Sequence, residues 1–137
     1  MAGLKGADQH LRRLRKMTQG MRKEASRLVY TLADMHATEA ALSITSGSVS
    51  GKNHKSSSPG QPPNADTHGL DRSVHVEQSG PLVAQSVADA PYAVDLEWGT
   101  QNMEERPFMR AAAKKVRKQA DKLVKAAVDR IVKGGKL

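Results

Sequence analysis

The run Gly47-Ser-Val-Ser-Gly51-Lys52-Asn53 has the glycines and lysine of a loop that cradles phosphate with backbone N–H groups. Its spacing argues against that chemistry. Three residues separate the glycines where a phosphate loop has four, Asn53 stands where a hydroxyl would hold magnesium, and no apolar strand precedes it. The run is read as a flexible loop. The five histidines, His10, His36, His54, His68 and His75, include no i, i+4 pair on a helical face. None has the close partners of a zinc site, so surface or loop positions and no bound metal are expected. No serine lies in a Gly-x-Ser-x-Gly elbow. Glu104 and Glu105 are read as helix-start charges, and Asp95 and Glu97, alternating with Val94, Leu96 and Trp98, as the polar face of a strand. With no cysteine present, disulfides, thiolate metal sites and cysteine nucleophiles are excluded too. These residues point to a non-enzymatic protein without a cofactor.

The remaining chemistry is cationic. Arg12, Arg13, Arg15, Lys16, Arg22, Lys23 and Arg27 lie on one expected helix, and Lys114, Lys115, Arg117, Lys118, Lys122 and Lys125 on another. Such faces either grip phosphates or simply keep a protein solvated. A helix-turn-helix signature is missing and aromatics are only 3% of the chain, which argues against sequence-specific reading or base stacking. Non-specific contact with DNA stays open. The net charge of +8 is segregated: residues 1–30 carry +6, residues 31–105 carry −7 and residues 106–137 carry +9. Segregation of this kind acts on partners more than on fold.

The elements that must position these groups are α+β in pattern, within a single domain spanning residues 1–137. Residues 1–44 read as helical, because Leu4, Ala7, Leu11, Leu14, Met21, Ala25, Leu28, Leu32 and Met35 recur at three- and four-residue steps. An unbroken helix over Leu4–Met35 would be roughly 46 Å long, so it must kink or project onto a neighbour. Gly20 is the expected break, with a bend at Thr18–Gly20 and a second helix running to about Leu42. A coiled coil is the weaker alternative. Residues 46–69 are rich in Ser, Gly, Pro and Asn, offer no face to bury, and read as a flexible arm. A small antiparallel sheet is expected over residues 73–100. Its strands are Ser73–Ser79, Leu82–Val87 after the Gly80–Pro81 turn, and Tyr92–Trp98, the last as a strand or a strand flanked by a short helical turn. The C-terminal helix, 107–133, is expected to open on Pro107 in its first turn and to pack on the sheet. Met109, Ala112, Val116, Ala120, Leu123, Ala127 and Ile131 form its apolar stripe, and Gly134–Gly135 stops it. No apolar run approaches the roughly 20 residues that span a bilayer, and no secretory signal opens the chain. A soluble protein, made in a cytoplasm or carried in a particle assembled there, with no membrane partner, is the expectation.

The segment Ala90–Ala113 resembles the hallmark of the HK-ninety-seven-like tail-component (neck) proteins of siphophages, prophages and gene transfer agents. The matching elements are Tyr92–Ala93, then Glu97–Trp98–Gly99–Thr100, then Met103–Glu104–Glu105–Arg106–Pro107–Phe108 leading into the last helix. Upstream, Asp66–Thr67–His68–Gly69–Leu70 before Ser73–Val74 is similar to that family's Asp-Thr-Gly-x-Leu…Ser-Ile stretch, with His68 as an extra residue. In physical terms Gly99 permits a turn that a side chain would block. Pro107 fixes the approach to the helix, Phe108 wedges it onto the sheet, and Arg106 is placed to reach Glu97 or the carbonyls of the turn.

The resemblance implies a virion protein that forms a homo-oligomeric ring, six-fold in expectation, at the tail terminus or neck. Its implied partners are further copies of itself, the tail tube protein, the head-connector or stopper protein, and packaged DNA. Heterologous contacts of a closed ring would then set the acidic sheet of one copy against a basic helix of the next. Arg12, Arg13, Arg15, Lys16, Lys114, Lys115 and Lys118 are the candidate contacts to a neighbouring subunit or to DNA.

Overall fold

Residues 6–46, 51–64 and 68–133 are described in a computed structural model. Leu4, residues 47–50 of the glycine-lysine run, Asp66–Thr67 and the Gly134–Gly135 stop lie outside them. The chain is α+β, as expected. Its order is helix α1 (Ala7–Thr45), a single 3-10 turn at Gly51–Asn53, helix α2 (Gly69–Ser73), strands β1 (Val74–Gly80) and β2 (Val83–Ala88), helix α3 (Ala93–Trp98) and helix α4 (Met109–Val132).

Helix α1 is uninterrupted over 39 residues, about 58 Å at the helical rise. The expected bend at Thr18–Gly20 is therefore corrected. Gly20 costs about 1 kcal/mol inside a helix, but Ala, Leu, Met, Arg, Lys and Gln crowd both sides of it and no proline intervenes. Thr18 does not break the helix either, since its hydroxyl donates to the Leu14 carbonyl at 2.9 Å. Of the two ways to house so long a helix, projection is the one adopted. Every residue from Ala7 to Lys16 is exposed, Leu11 and Leu14 included.

The C-terminal half of α1 forms the middle layer. Ala33, Ala37, Ala40 and Ile44 are buried at four-, three- and four-residue steps, and their small side chains admit both neighbours closely. On one flank lies the β1–β2 hairpin, and along the other runs α4. The stripe read from the sequence (Met21, Ala25, Leu28, Leu32, Met35) is half-buried beside these positions. Glu39 pairs with Lys115 at 3.4 Å and Glu24 with Arg130 at 3.2 Å, so α4 is antiparallel to α1. Its stripe from Met109 to Ile131 faces inward as expected, with Ala112 and Ala127 fully buried. The first turn of α4 also meets the sheet. Phe108 and Ala112 share a cluster with Ala40, Ile44, Leu70 and Ala93, against which Val74 and Ala88 pack.

The sheet has two strands, paired antiparallel from Val74↔Ala88 to Gly80↔Val83 around Pro81–Leu82. The third expected strand, Tyr92–Trp98, is instead helix α3. Ala93 and Glu97 are its buried residues, four apart on one helical face, whereas Val94 and Trp98 are exposed at 68% and 63%. Tertiary burial of that i, i+4 pair outweighs the alternation of apolar residues. The arm also differs from expectation, because it does bury something. Pro63 is buried, Asn64 donates to the Lys55 carbonyl at 3.0 Å, and the Gly60 N–H donates to the Glu105 carbonyl at 3.0 Å.

One half-buried side chain ties the three layers together. His36 on α1 bonds the Ser86 hydroxyl of β2 through Nδ1 and donates from Nε2 to the Met109 carbonyl of α4 at 2.7 Å. A single Nε2–H tautomer satisfies both. His36→Ala orphans two groups in the interior and is expected to lower unfolding free energy by about 2 kcal/mol in urea titrations. Leu11→Ala, on the projecting end, is expected to change the stability of the chain by less than about 0.5 kcal/mol.

Candidate functional site

The residues of the expected motif converge on the corner that joins α3 to α4. Helix α4 starts at Met109 with no cap from its own first residues, so its leading N–H groups need an acceptor from elsewhere. Glu97 at the end of α3 supplies it. Oε2 accepts from the Phe108 and Met109 N–H groups at 2.8 and 3.0 Å. Oε1 accepts from the Arg110 N–H at 3.0 Å and from Arg110 Nε at 2.9 Å. A buried carboxylate thus sits at the positive end of the helix dipole.

Arg110 completes the corner. Its Nη2 donates to the Glu97 carbonyl at 2.5 Å and to Glu105 Oε2 at 3.0 Å, and its guanidinium lies 4.1 Å from the centroid of the Trp98 ring. Trp98 itself is exposed, so the stacked pair presents a flat surface to solvent. Burial of Glu97 opposes its charge. The N–H groups of Phe108, Arg110 and Met109 and the Arg110 side chain outweigh that, and hold its carboxyl below the usual glutamate value.

The turn between Trp98 and Glu105 is built on Gly99, whose φ of 76° is left-handed. A Cβ there would stand 2.9 Å from both the Glu105 nitrogen and the Met103 oxygen. Thr100 and Met103 pair across the turn, with the Thr100 N–H donating to Met103 at 2.8 Å. Phe108 is 1% exposed and anchors the corner in the core.

Two expectations at this corner are corrected. Pro107 precedes the N-cap Phe108 instead of occupying the first helical turn, because Glu97 already fixes where α4 begins. Arg106 does not reach Glu97; Arg110 does. The Arg106 N–H donates to the Leu96 carbonyl at 2.6 Å. Its side chain lines a cavity of about 240 Å³ with His54, Ser57, Leu70 and Tyr92, where Nε is buried without a hydrogen-bond partner among the described residues. Sequence reading passed over Arg110 because the bond to Glu97 spans thirteen residues and leaves no periodic trace.

The cationic candidates fall into two separate groups. Arg12, Arg13, Arg15 and Lys16 are exposed on the projecting end of α1, and Lys114, Lys115 and Lys118 are exposed near the start of α4. The antiparallel register set by Glu24–Arg130 and Glu39–Lys115 separates them by roughly 30–40 Å along the helix pair. Among the described residues no helix is long and apolar enough to cross a membrane. Comparison with protein-family models, with curated proteins and with solved structures gives no match for the chain.

The corner makes stability depend on pH. With its folded pKa lowered, Glu97 contributes fully above its unfolded value near 4.3, and the contribution is lost as pH falls through the folded value. Glu97→Gln is expected to cost about 2 kcal/mol at neutral pH and to flatten the acid limb of a stability-versus-pH curve. Gly99→Ala, read by thermal melting, should cost about 1–3 kcal/mol from the backbone conformation alone, with the contacts at 2.9 Å adding to it.

Proposed function

We propose that the chain is a non-enzymatic structural subunit of a siphophage-like particle, forming a ring that completes the tail and joins the tail tube to the head connector. The observation that carries this reading is the projecting end of α1. A helix that exposes Leu11 and Leu14, at 50% and 44%, beside four cations is built to be covered by something other than its own fold. A closed ring supplies such cover, because each subunit offers one surface and receives a different one. The resemblance of residues 90–113 to neck proteins supplies the place in the particle. In this reading the Glu97–Arg110 corner serves as the rigid mount that fixes α4 relative to the hairpin.

Charge supports the same arrangement. Glu77, Asp89, Asp95, Glu104 and Glu105 are exposed on the hairpin and corner, and Lys114, Lys115 and Lys118 on α4. Acidic and basic surfaces of adjacent copies then attract one another, and the attraction is screened by salt. A second reading, non-specific binding of the DNA backbone, is favoured by the clustering of Arg12, Arg13, Arg15 and Lys16 on one uncovered helix end. The two coexist if the cations face the channel through which DNA passes.

Quantitative mass spectrometry of purified particles tests the reading directly. About six copies per particle are expected for a closed ring of this kind. Absence from particles, together with DNA binding by the isolated subunit that weakens steeply with salt, would move the chain to the second reading. Within the first, reversing the charge of Lys114, Lys115 and Lys118 together is expected to impair ring assembly, measured by light scattering, while leaving the subunit's melting temperature within a few degrees.

A further inference from the structure

At the open end of the hairpin, three side chains of types that can ligate a metal come together, and neither the corner nor the projecting helix uses them. His75 Nε2 lies 3.0 Å from Glu77 Oε1 and 3.7 Å from Asp89 Oδ2, and the three ligand atoms all fall within 4.8 Å of one another. Their placement follows from the backbone. His75 and Glu77 are two apart on β1 and therefore share a face. Asp89 follows β2, and its N–H donates to the Ser73 carbonyl at 3.3 Å.

That same carbonyl orients the imidazole, which donates to it from Nδ1 at 2.8 Å. With Nδ1 donating to that carbonyl, Nε2 faces the two carboxylates, where it carries either a proton, as an imidazolium paired with Glu77, or a metal ion that replaces that proton. Glu77 is oriented in turn by its cross-strand neighbour Gln85, which donates to Oε2 at 3.3 Å and leaves Oε1 facing the histidine. A ligating imidazole anchored through its other nitrogen to a backbone carbonyl, beside a hydrogen-bonded carboxylate, is the usual outer arrangement of a protein metal site.

We propose that His75, Glu77 and Asp89 bind a divalent transition-metal ion of the zinc class, with water completing the coordination. Bonds of about 2.1 Å in tetrahedral geometry set ligand atoms about 3.4 Å apart. The two separations from His75, 3.0 and 3.7 Å, bracket that value. The third edge, no longer than 4.8 Å, closes by a small rotation of Asp89, which is exposed. One imidazole and two carboxylates form a mixed nitrogen–oxygen set that suits zinc better than magnesium. Bound there, the ion ties β1 to the segment that leads from β2 into α3.

The test is calorimetric titration of the full chain with zinc chloride alone and with magnesium chloride alone, followed by thermal melting. One zinc ion per chain and a raised melting temperature are expected, with magnesium giving neither. Asp89→Asn and Glu77→Gln keep side-chain shape, so their metal-free melting should stay close to that of the parent. Each is expected to weaken zinc binding at least about tenfold and to abolish the zinc-induced shift. Absence of saturable zinc binding would overturn the proposal. So would binding undiminished in both variants, since the ion would then sit on other histidines, and so would preference for magnesium.

Discussion

A single carboxylate decides how the second half of this chain is arranged. The Phe108 ring must be buried to complete the core, and burying it carries the first N–H groups of α4 away from water. Unpaired, each of those groups would cost about 1–3 kcal/mol. Glu97 satisfies three of them and is itself buried, a placement a lone anion could not sustain. Arg110, the third residue it holds, returns a guanidinium to the same oxygen. The cap therefore neutralises its own charge, and the parts of the corner stand or fall together. Gly99 follows from the same demand, because α3 can deliver Glu97 to the start of α4 only if the chain doubles back tightly between them.

Helix α1 imposes the second constraint. Its alanines at 33, 37 and 40 form one face of small side chains that lets its neighbours approach closely, so the body is organised along α1 instead of around a large apolar centre. A helix of 39 residues is longer than a body built this way can cover. The surplus falls at the N-terminal end, where the buried positions stop at Glu24. His36 stands at the crossing point and bonds both flanking layers, so the middle layer is fixed in rotation as well as in position.

What the sequence disclosed and what it hid divide along physical lines. The α4 stripe and the hairpin turn were legible because their signals are local and periodic. Gly20 misled because a propensity penalty of about 1 kcal/mol is small against the helix formers around it. Residues 92–98 misled because seven residues of alternating apolar character fit either period, and only the burial of Ala93 with Glu97 decides between them. The corner was legible in its residue types but not in its pairing. Arg106 is nearer in sequence to Glu97, yet its side chain turns toward the arm, and Arg110 is the residue that helical geometry brings back to the carboxylate. The cluster of His75, Glu77 and Asp89 escaped a search for helical spacings, since its signal is an i, i+2 pair on a strand completed by a residue beyond the turn.

The segregation of charge along the chain takes on meaning once these pairings are known. Glu24 with Arg130, Glu39 with Lys115, and Glu97 and Glu105 with Arg110 join acidic residues to basic ones within the fold. They engage few of the 22 lysines and arginines. Exposed pairs contribute little to stability, so the fold has no need of the cations on the projecting end of α1 or along the outer side of α4. Their energetic effect is on approach and orientation, where long-range fields matter most. The two buried carboxylates are paired at separate places, Glu97 at the corner and Glu24 toward the far end of α4, and the separation of surface charge by sign suits the subunit contacts proposed above. In that proposal the uncovered leucines beside Arg12, Arg13, Arg15 and Lys16 give the contact an apolar surface to bury once charge has aligned it.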